Sequence, residues 1–264
     1  MIIDFHTHCF PDGIAEKAIQ ILKNRSGIIH PFHGGKVSQL IELQRRAGVD
    51  FSVIQNIATN PHQQKKVNDF AISLLGTPGV IPFGSVHPGS DDRFDELYRL
   101  KEAGIKGIKL HPDYQEFFCD DDRMIPLYEK IAELGFITLF HCGIDMGYPS
   151  PVHCDAQRLA SVLPAFGSAP VIAAHMGGIC DTENTLKYLA GKEVYLDTAF
   201  SYGVLPPASA KEIIDAHGAG KILFASDSPW NDPADCIALI KLLGYEKEDE
   251  DKILGENARG LLGL

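Results

Sequence analysis

Short apolar stretches recur along the chain, and amphipathic stretches separate nearly all of them. The apolar stretches are continuous and rich in β-branched residues, as in parallel strands that are buried on both faces. The intervening stretches place apolar residues at helical spacing. The pattern predicts strands over residues 2–8, 51–57, 80–87, 107–112, 136–141, 171–175, 194–198 and 222–227. It predicts helices over residues 13–24, 37–47, 62–75, 91–103, 122–134, 155–166, 182–190 and 207–217.

Strands that alternate with helices in this way favour an α/β fold, a closed (β/α)8 TIM barrel made by one domain over residues 1–264. The alternative is an open, doubly wound sheet, in which a glycine-rich phosphate-binding loop normally follows the first strand. This chain has His6-Thr7-His8 at that position. The long connection after the first strand, in particular residues 28–35, predicts an inserted flap over the end of that strand.

Composition limits the class of partner. The chain has 264 residues, of which 45% are hydrophobic and 22% are charged, as in an ordinary globular protein. Its formal net charge of -11 disfavours nucleic acid and anionic membrane surfaces as partners, because nonspecific attraction would have the wrong sign. We therefore expect a small-molecule substrate, no nucleic-acid partner and no membrane partner, and we leave a homodimer open.

The six cysteines contain no Cys-x-x-Cys pair, which indicates reduced thiols in a cytoplasmic protein. The first predicted strand begins at residue 2, so we expect no signal peptide.

Ionisable side chains stand at the ends of these apolar strands. They are His6, His8, His87, Lys109, His111, His141, His175, Asp197 and Asp227. The carboxyl ends of barrel strands converge on one face, and an unpaired ionisable group buried there would cost several kcal/mol. The spacing of Asp4, His6 and His8 places all three on one side of a strand, where two imidazoles can bind one metal ion. The set therefore predicts a functional site.

Several motifs in this order resemble the amidohydrolase superfamily. They are Asp-x-His-x-His at residues 4–8, His-Cys-Gly at 141–143, Ala-His-Met-Gly-Gly at 174–178 and Ser-Asp-Ser-Pro-Trp at 226–230. Gly-Ile-Lys-Leu-His-Pro at 107–112 and the closing residues 257–264 resemble its amidohydrolase-related branch. That branch contains metal-dependent hydrolases and aminocarboxymuconate-semialdehyde decarboxylase-like enzymes.

The resemblance implies one divalent cation, expected to be Zn²⁺, and a role for each matching residue. The implied ligands are His6, His8, His141 and Asp227. Asp227 would also accept the proton of the metal-activated water, and His175 would stabilise or protonate the developing oxyanion. Asp4 would lie behind the ligands as a hydrogen-bond acceptor.

Strand four leaves more than one interpretation open. Lys109, once carbamylated, would bridge two metal ions in two-metal relatives; otherwise it would bind a substrate anion or pair with an acidic neighbour. His111 is a candidate substrate contact, and Lys109, His111 and His175 together are the candidates for second-metal or substrate binding. We expect turn, loop or helix positions without direct function for His87, His153 and His217.

The sequence therefore predicts a metal-dependent hydrolase of a small-molecule amide, ester or lactone. A metal-dependent decarboxylase is the first alternative, although its substrate carboxylate would need a cation and no arginine stands at a predicted strand end. The cation that binds the substrate carboxylate would then have to be Lys109, or Arg25 reaching in from the flap. A barrel that binds metal or ligand without catalysis is the alternative from another class, and it would be expected to lack Asp227 or His175.

Overall fold

The structure of the protein is a computed structural model that describes residues 1–27, 30–148 and 150–264. Within these ranges, strands and helices alternate along the whole chain, as the hydrophobic pattern predicts. The strands are β1 (Ile3–Thr7), β2 (Phe51–Gln55), β3 (Val80–Phe83), β4 (Gly107–Leu110), β5 (Ile137–Phe140), β6 (Val171–Ala173), β7 (Tyr195–Asp197) and β8 (Ile222–Leu223).

All the strand pairs are parallel, and they form one sheet of β1 to β3 and another of β4 to β8. Two further contacts join these sheets at both edges. Gly84 bridges to Ile108 between β3 and β4, and Thr7 bridges to Ser228 between β1 and the segment after β8. The Phe5 amide also donates to the Phe224 carbonyl at 2.9 Å. The strands therefore close on themselves, and the TIM-barrel prediction is confirmed.

Helices surround the strands on the outside of the barrel. Among the described residues they are α1 (Ala15–Ser26), α2 (Val37–Ala47), α3 (Gln64–Ser73), α4 (Arg93–Ala103), α5 (Ile125–Glu133), α6 (Ala156–Val162), α7 (Thr182–Tyr188), α8 (Pro207–His217), α9 (Pro233–Leu242), α10 (Lys247–Asp251) and α11 (Asn257–Leu262). None of these helices combines the length and the apolar character that crossing a bilayer requires. The predicted helices 62–75 and 122–134 each begin as a 3-10 turn, at Pro61–Gln63 and at Asp122–Met124.

Side chains alternate between two apolar layers. Phe5, Val53, Leu139 and Ile172 belong to the cluster inside the barrel, and all four are fully buried. A larger cluster packs the outer faces of the strands against the helices. Because the strands are covered on both faces, their sequences are continuously apolar.

The observed strands are shorter than the predicted ones at their carboxyl ends. His8, His111 and His141 each follow a strand instead of ending it, and Asp227 lies beyond β8. Between β1 and the segment after β8, a side-chain bond joins the backbone bonds: the Ser226 amide donates to Asp4 Oδ1 at 2.9 Å, and the Asp227 amide donates to the His6 carbonyl at 2.9 Å. The polar residues of the carboxyl face therefore lie on loops just beyond the strands.

Of the flap predicted over residues 28–35, the described residues 30–35 lie against the carboxyl ends of β1 and β8. The Phe10 amide donates to the Gly35 carbonyl at 2.9 Å, and the Phe32 amide donates to the Pro229 carbonyl at 2.7 Å. Residues 28 and 29 lie outside the described residues.

Candidate metal centre at the carboxyl face of the barrel

The first two histidines of the predicted set each use one ring nitrogen to hold their orientation. His6 Nδ1–H donates to Asp197 Oδ2 at 2.9 Å, and His8 Nδ1–H donates to the Gln55 carbonyl at 3.0 Å. A neutral imidazole carries only one N–H, so Nε2 of each ring keeps its lone pair. Both rings therefore present an Nε2 that can bind a cation.

Asp227 meets both of these nitrogens. Its Oδ1 lies 3.2 Å from His8 Nε2 and 3.6 Å from His6 Nε2. Ligands about 2.0–2.1 Å from a tetrahedral zinc ion are about 3.3 Å apart, which matches this spacing. One ligand atom from each of His6, His8 and Asp227 falls within 4.8 Å of the other two. Two imidazoles and a carboxylate with these separations suit a divalent transition metal.

The turn after β8 presents Asp227 in an unusual backbone conformation. Asp227 has φ of 65°, a region that costs a residue with a side chain about 1–2 kcal/mol. The Asp227 amide donates to the His6 carbonyl at 2.9 Å, which ties the turn to β1. Asp4 lies behind the turn and accepts from the Ser226 hydroxyl at 2.5 Å. Burial raises the pKa of Asp4 to about 7, against the lowering effect of the Ser226 bonds.

His175 and His141 form a hydrogen-bonded pair beside this group. His175 Nδ1–H donates to the Ala199 carbonyl at 3.1 Å, so its Nε2 accepts from His141 Nδ1–H at 3.0 Å. This leaves a lone pair on His141 Nε2, and that atom is buried with no hydrogen-bond partner among the described residues. An unpaired buried polar atom costs about 1–3 kcal/mol, so His141 Nε2 is also suited to a ligand.

His141 nevertheless belongs to a second group of candidate ligands. It lies with His111 and Asp145, where one ligand atom from each residue is within 4.8 Å of the others. The His111 ring stacks on the His141 ring at 4.0 Å, and His111 Nε2 lies 3.4 Å from Asp145 Oδ2. The expected ligand set is thus divided: His6, His8 and Asp227 come together, and His141 lies between His175 and His111.

Lys109 lies at the centre of these groups. Its side chain is fully buried, and Nζ lies 3.2 Å from His6 Nε2. Burial lowers the pKa of Lys109, whereas the negative charges of Asp197 and Asp227 raise it. Asp145, in contrast, had no role in the sequence prediction, because it stands in a loop without a recognisable motif.

Asp197 belongs to the predicted set at the strand ends, but the sequence assigned it no individual role. It is fully buried in β7 and accepts from His6 Nδ1, from the His175 amide at 2.8 Å and from the Ala199 amide at 3.1 Å. Burial raises the pKa of its carboxyl group. A carboxylate within an apolar strand is itself a sign of such a network, because it cannot be buried there without partners.

Burial favours the neutral form of four imidazoles at the centre. Burial lowers the pKa of His6, His111 and His141 well below the ordinary value, and it lowers the pKa of His175 to about 4. Neutral imidazoles are the form that binds metals, so the low-dielectric site maintains the ligands in the binding state.

Close backbone packing explains the glycine of the His-Cys-Gly motif. Gly143 of His-Cys-Gly has φ of 89°, and a Cβ there would lie 2.5 Å from the Ile179 amide nitrogen. The same Cβ would lie 2.6 Å from Gly178 Cα. The loops that carry His141 and His175 can therefore approach closely enough for their imidazoles to touch.

A family model described as "Amidohydrolase" matches residues 3–264 of the chain. No curated protein matches.

Solved structures with the same fold cover nearly the whole chain. An uncharacterised TIM-barrel protein from Bordetella bronchiseptica has 18% identity and a TM-score of 0.80, with 99% of this chain and 98% of that chain covered. A dihydroxybenzoic acid decarboxylase from Polaromonas sp., with bound manganese and the inhibitor 2-nitroresorcinol, has 14% identity and a TM-score of 0.70, with 100% and 97% covered. A candidate 2-pyrone-4,6-dicarboxylic acid hydrolase from Pseudomonas putida has 16% identity and a TM-score of 0.69, with 99% and 97% covered. At these identities the likeness extends to the fold alone.

The lowered pKa of His175 predicts a pH dependence of stability. Between its ordinary pKa of 6.5 and about 4, the unfolded chain binds a proton that the folded chain does not, so stability falls as pH falls. His175→Asn removes this site, and the slope of unfolding free energy against pH should flatten by up to about 1.4 kcal/mol per pH unit. Urea unfolding of chelator-treated protein from pH 7 to pH 4 measures this slope. Equal slopes for the parent and the variant would contradict the prediction.

Proposed function

Because the chain belongs to the amidohydrolase family, we propose that it is a metal-dependent hydrolase of a small-molecule amide, ester or lactone. In this proposal residues 1–264 form one catalytic domain, and its carboxyl face holds a divalent cation. His6, His8 and Asp227 would bind the cation together with His141, which the resemblance adds as a fourth ligand.

The observation that carries the proposal is the orientation of the ring nitrogens. His6 and His8 donate through Nδ1 to fixed acceptors, and both turn Nε2 toward the carboxylate of Asp227. Metal-binding histidines ordinarily donate their other nitrogen to a carboxylate or a backbone carbonyl in this way. For His141 to be the fourth ligand, its unpartnered Nε2 would have to turn from the His111–Asp145 side toward this group.

When bound, the cation would polarise a substrate carbonyl and lower the pKa of a coordinated water toward about 7. We propose zinc as the cation, because two or three imidazoles with one carboxylate suit it. Manganese is the competing identity, supported by the metal bound in the Polaromonas decarboxylase structure.

Asp227 and His175 would supply the proton transfers. Asp227 would accept the proton of the attacking water, because its Oδ1 is adjacent to both proposed ligand nitrogens of β1. His175 commits Nδ1–H to the Ala199 carbonyl, so Nε2 is the atom it can present to a substrate. That atom accepts a hydrogen bond at rest, and it would donate to the oxyanion or leaving group only after taking up a proton.

Decarboxylation of a small carboxylic acid is the second candidate function. The observation that favours it is the position of Lys109 beside the candidate ligands. Among the described residues, Lys109 is the basic side chain that touches the His6–His8–Asp227 group, and its Nζ could bind a substrate carboxylate. Arg25 lies in α1 and donates to the Tyr148 hydroxyl at 2.6 Å. A barrel that binds without catalysis is disfavoured, because Asp227 and His175 are both present at the site.

Lys109 also has a different candidate role, as a carbamylated bridge between two cations. The separation of 3.0 Å between His141 Nδ1 and His175 Nε2 would suit two ligands of a second cation as well as a hydrogen bond. The metal content of a Lys109 variant distinguishes these roles.

Replacing a proposed ligand should remove the metal. His6→Ala deletes one of the two β1 nitrogens, so bound zinc should fall from about one per chain to below a tenth under the same dialysis conditions. His141→Ala tests the fourth ligand in the same way. His62→Ala is the matched control, because His62 is exposed in a 3-10 turn. Elemental analysis of the purified proteins gives the measurement, and full metal content in His6→Ala would contradict the assignment.

Lys109→Ala should leave the cation content at about one per chain and raise the Michaelis constant, if Lys109 binds a substrate anion. A fall from about two cations to about one would instead identify it as a bridge. Elemental analysis and steady-state kinetics on the same samples make the distinction. Unchanged metal content and unchanged kinetics would leave Lys109 with a structural role only.

Asp227→Asn and His175→Asn should each lower turnover by about 10²- to 10⁴-fold. The first removes the group that accepts the proton of the water, and the second removes the group that donates to the oxyanion or leaving group. Asp227→Asn should keep part of its metal, since an amide oxygen coordinates weakly, and His175→Asn should bind metal nearly normally. The substrate comes from a screen of esters, lactones, amides and aromatic acids, which also distinguishes hydrolysis from decarboxylation. Turnover within threefold of the parent in metal-loaded variants would contradict the catalytic assignment.

A further inference from the structure

The flap contributes one side chain to the turn that carries Asp227. His33 Nδ1 accepts from the Gly35 amide at 3.0 Å, so the single N–H of its neutral ring is on Nε2. Nε2–H then donates to the Ser228 hydroxyl at 3.2 Å. Burial lowers the pKa of His33 to about 4, so the ring stays neutral at pH 7.

Ser228 is the residue next to Asp227 and is fully buried. Its amide donates to the Ser226 hydroxyl oxygen at 3.0 Å, and its carbonyl accepts from the His8 amide at 2.7 Å. Ser228 is therefore joined to a proposed ligand on either side: Asp227 by the chain and His8 by a hydrogen bond. A hydrogen bond to the Ser228 side chain can therefore affect the positions of both proposed ligands.

We propose that His33 is a positioning residue, whose hydrogen bond to Ser228 holds the turn at 226–229 so that the Asp227 carboxylate meets His6 and His8. This inference rests on the proposed function, because the ligand role of Asp227 comes from it. His33 touches neither a substrate position nor a ligand atom among its described contacts, so it acts through Ser228.

The backbone of Asp227 explains why the turn needs such support. A residue with a side chain keeps a positive φ only when its surroundings determine that conformation. The Asp227 amide and the Ser226 side chain are bonded to β1, through the His6 carbonyl and Asp4. His33 adds a side-chain bond from a segment that is not part of the barrel.

The flap is also attached to this turn independently of His33. The Phe32 amide donates to the Pro229 carbonyl at 2.7 Å, and the Phe10 amide donates to the Gly35 carbonyl at 2.9 Å. Loss of the His33 side chain therefore leaves the flap held by its backbone. The effect of His33 on the turn can be measured without releasing the whole segment.

The experiment is a zinc titration of metal-free protein in competition with a chromophoric chelator. The variants are His33→Ala, Ser228→Ala, the double variant and His33→Gln, whose amide N–H replaces the imidazole Nε2–H. His33→Ala and Ser228→Ala should each weaken zinc binding about tenfold, the usual order for a residue behind a metal ligand. The double variant should lose no more than either single variant, and His33→Gln should recover most of the affinity.

Two controls separate positioning from general stability. His62→Ala, an exposed histidine outside the site, should bind zinc as the parent does. Thermal unfolding of each metal-free variant measures the structural loss alone, and a purely structural role would lower the melting temperature without changing the zinc dissociation constant.

Asp227→Ala distinguishes failure of this inference from failure of the proposed function. If Asp227→Ala loses zinc while His33→Ala binds within twofold of the parent, His33 only anchors the flap and the inference is overturned. Additive losses in the double variant overturn it as well, since the two side chains would then act separately. If Asp227→Ala itself keeps the parental affinity, the proposed ligand set fails and the positioning role fails with it.

Discussion

The buried carboxylate of Asp197 is the group on which the geometry of the site depends. One oxygen accepts from His6 Nδ1, and the other accepts from the amides of His175 and Ala199. It therefore fixes the tautomer of a β1 histidine and the path of the backbone after β6 and β7. Without it, nothing would hold the ring proton of His6 on Nδ1, and the amides of His175 and Ala199 would each lose a hydrogen bond.

The same low-dielectric environment determines the protonation of the centre. Burial disfavours charge on the imidazoles, and it also disfavours charge on the carboxyl groups of Asp4 and Asp197. Each neutral ring keeps a lone pair, and no donor in the described part of the chain reaches the lone pair of His141 Nε2. A site of this kind is costly to fold and suited to a cation, because a cation is the partner that can satisfy several lone pairs at once.

The sequence was sufficient for the barrel, because buried strands and amphipathic helices leave distinct periodicities. It also placed His6, His8 and Asp227 at one face of the barrel, since their motifs lie at strand ends, and the structure brings these three side chains together. Its predicted strands were too long at their carboxyl ends, because regular pairing stops there and only single backbone and side-chain bonds, such as Ser226 to Asp4, continue. The sequence could not anticipate that His141 would group with His111 and Asp145 instead of with His6, His8 and Asp227. The direction of a side chain that follows a strand depends on the neighbouring loops.

Anomalous diffraction from crystals of the metal-loaded protein tests the central claim most directly, because it locates the cation independently of activity. The account predicts a peak within about 2.3 Å of His6 Nε2, of His8 Nε2 and of an Asp227 carboxylate oxygen. A peak that lies instead among His111, His141 and Asp145 alone, or no peak at the carboxyl face in metal-saturated crystals, would contradict it.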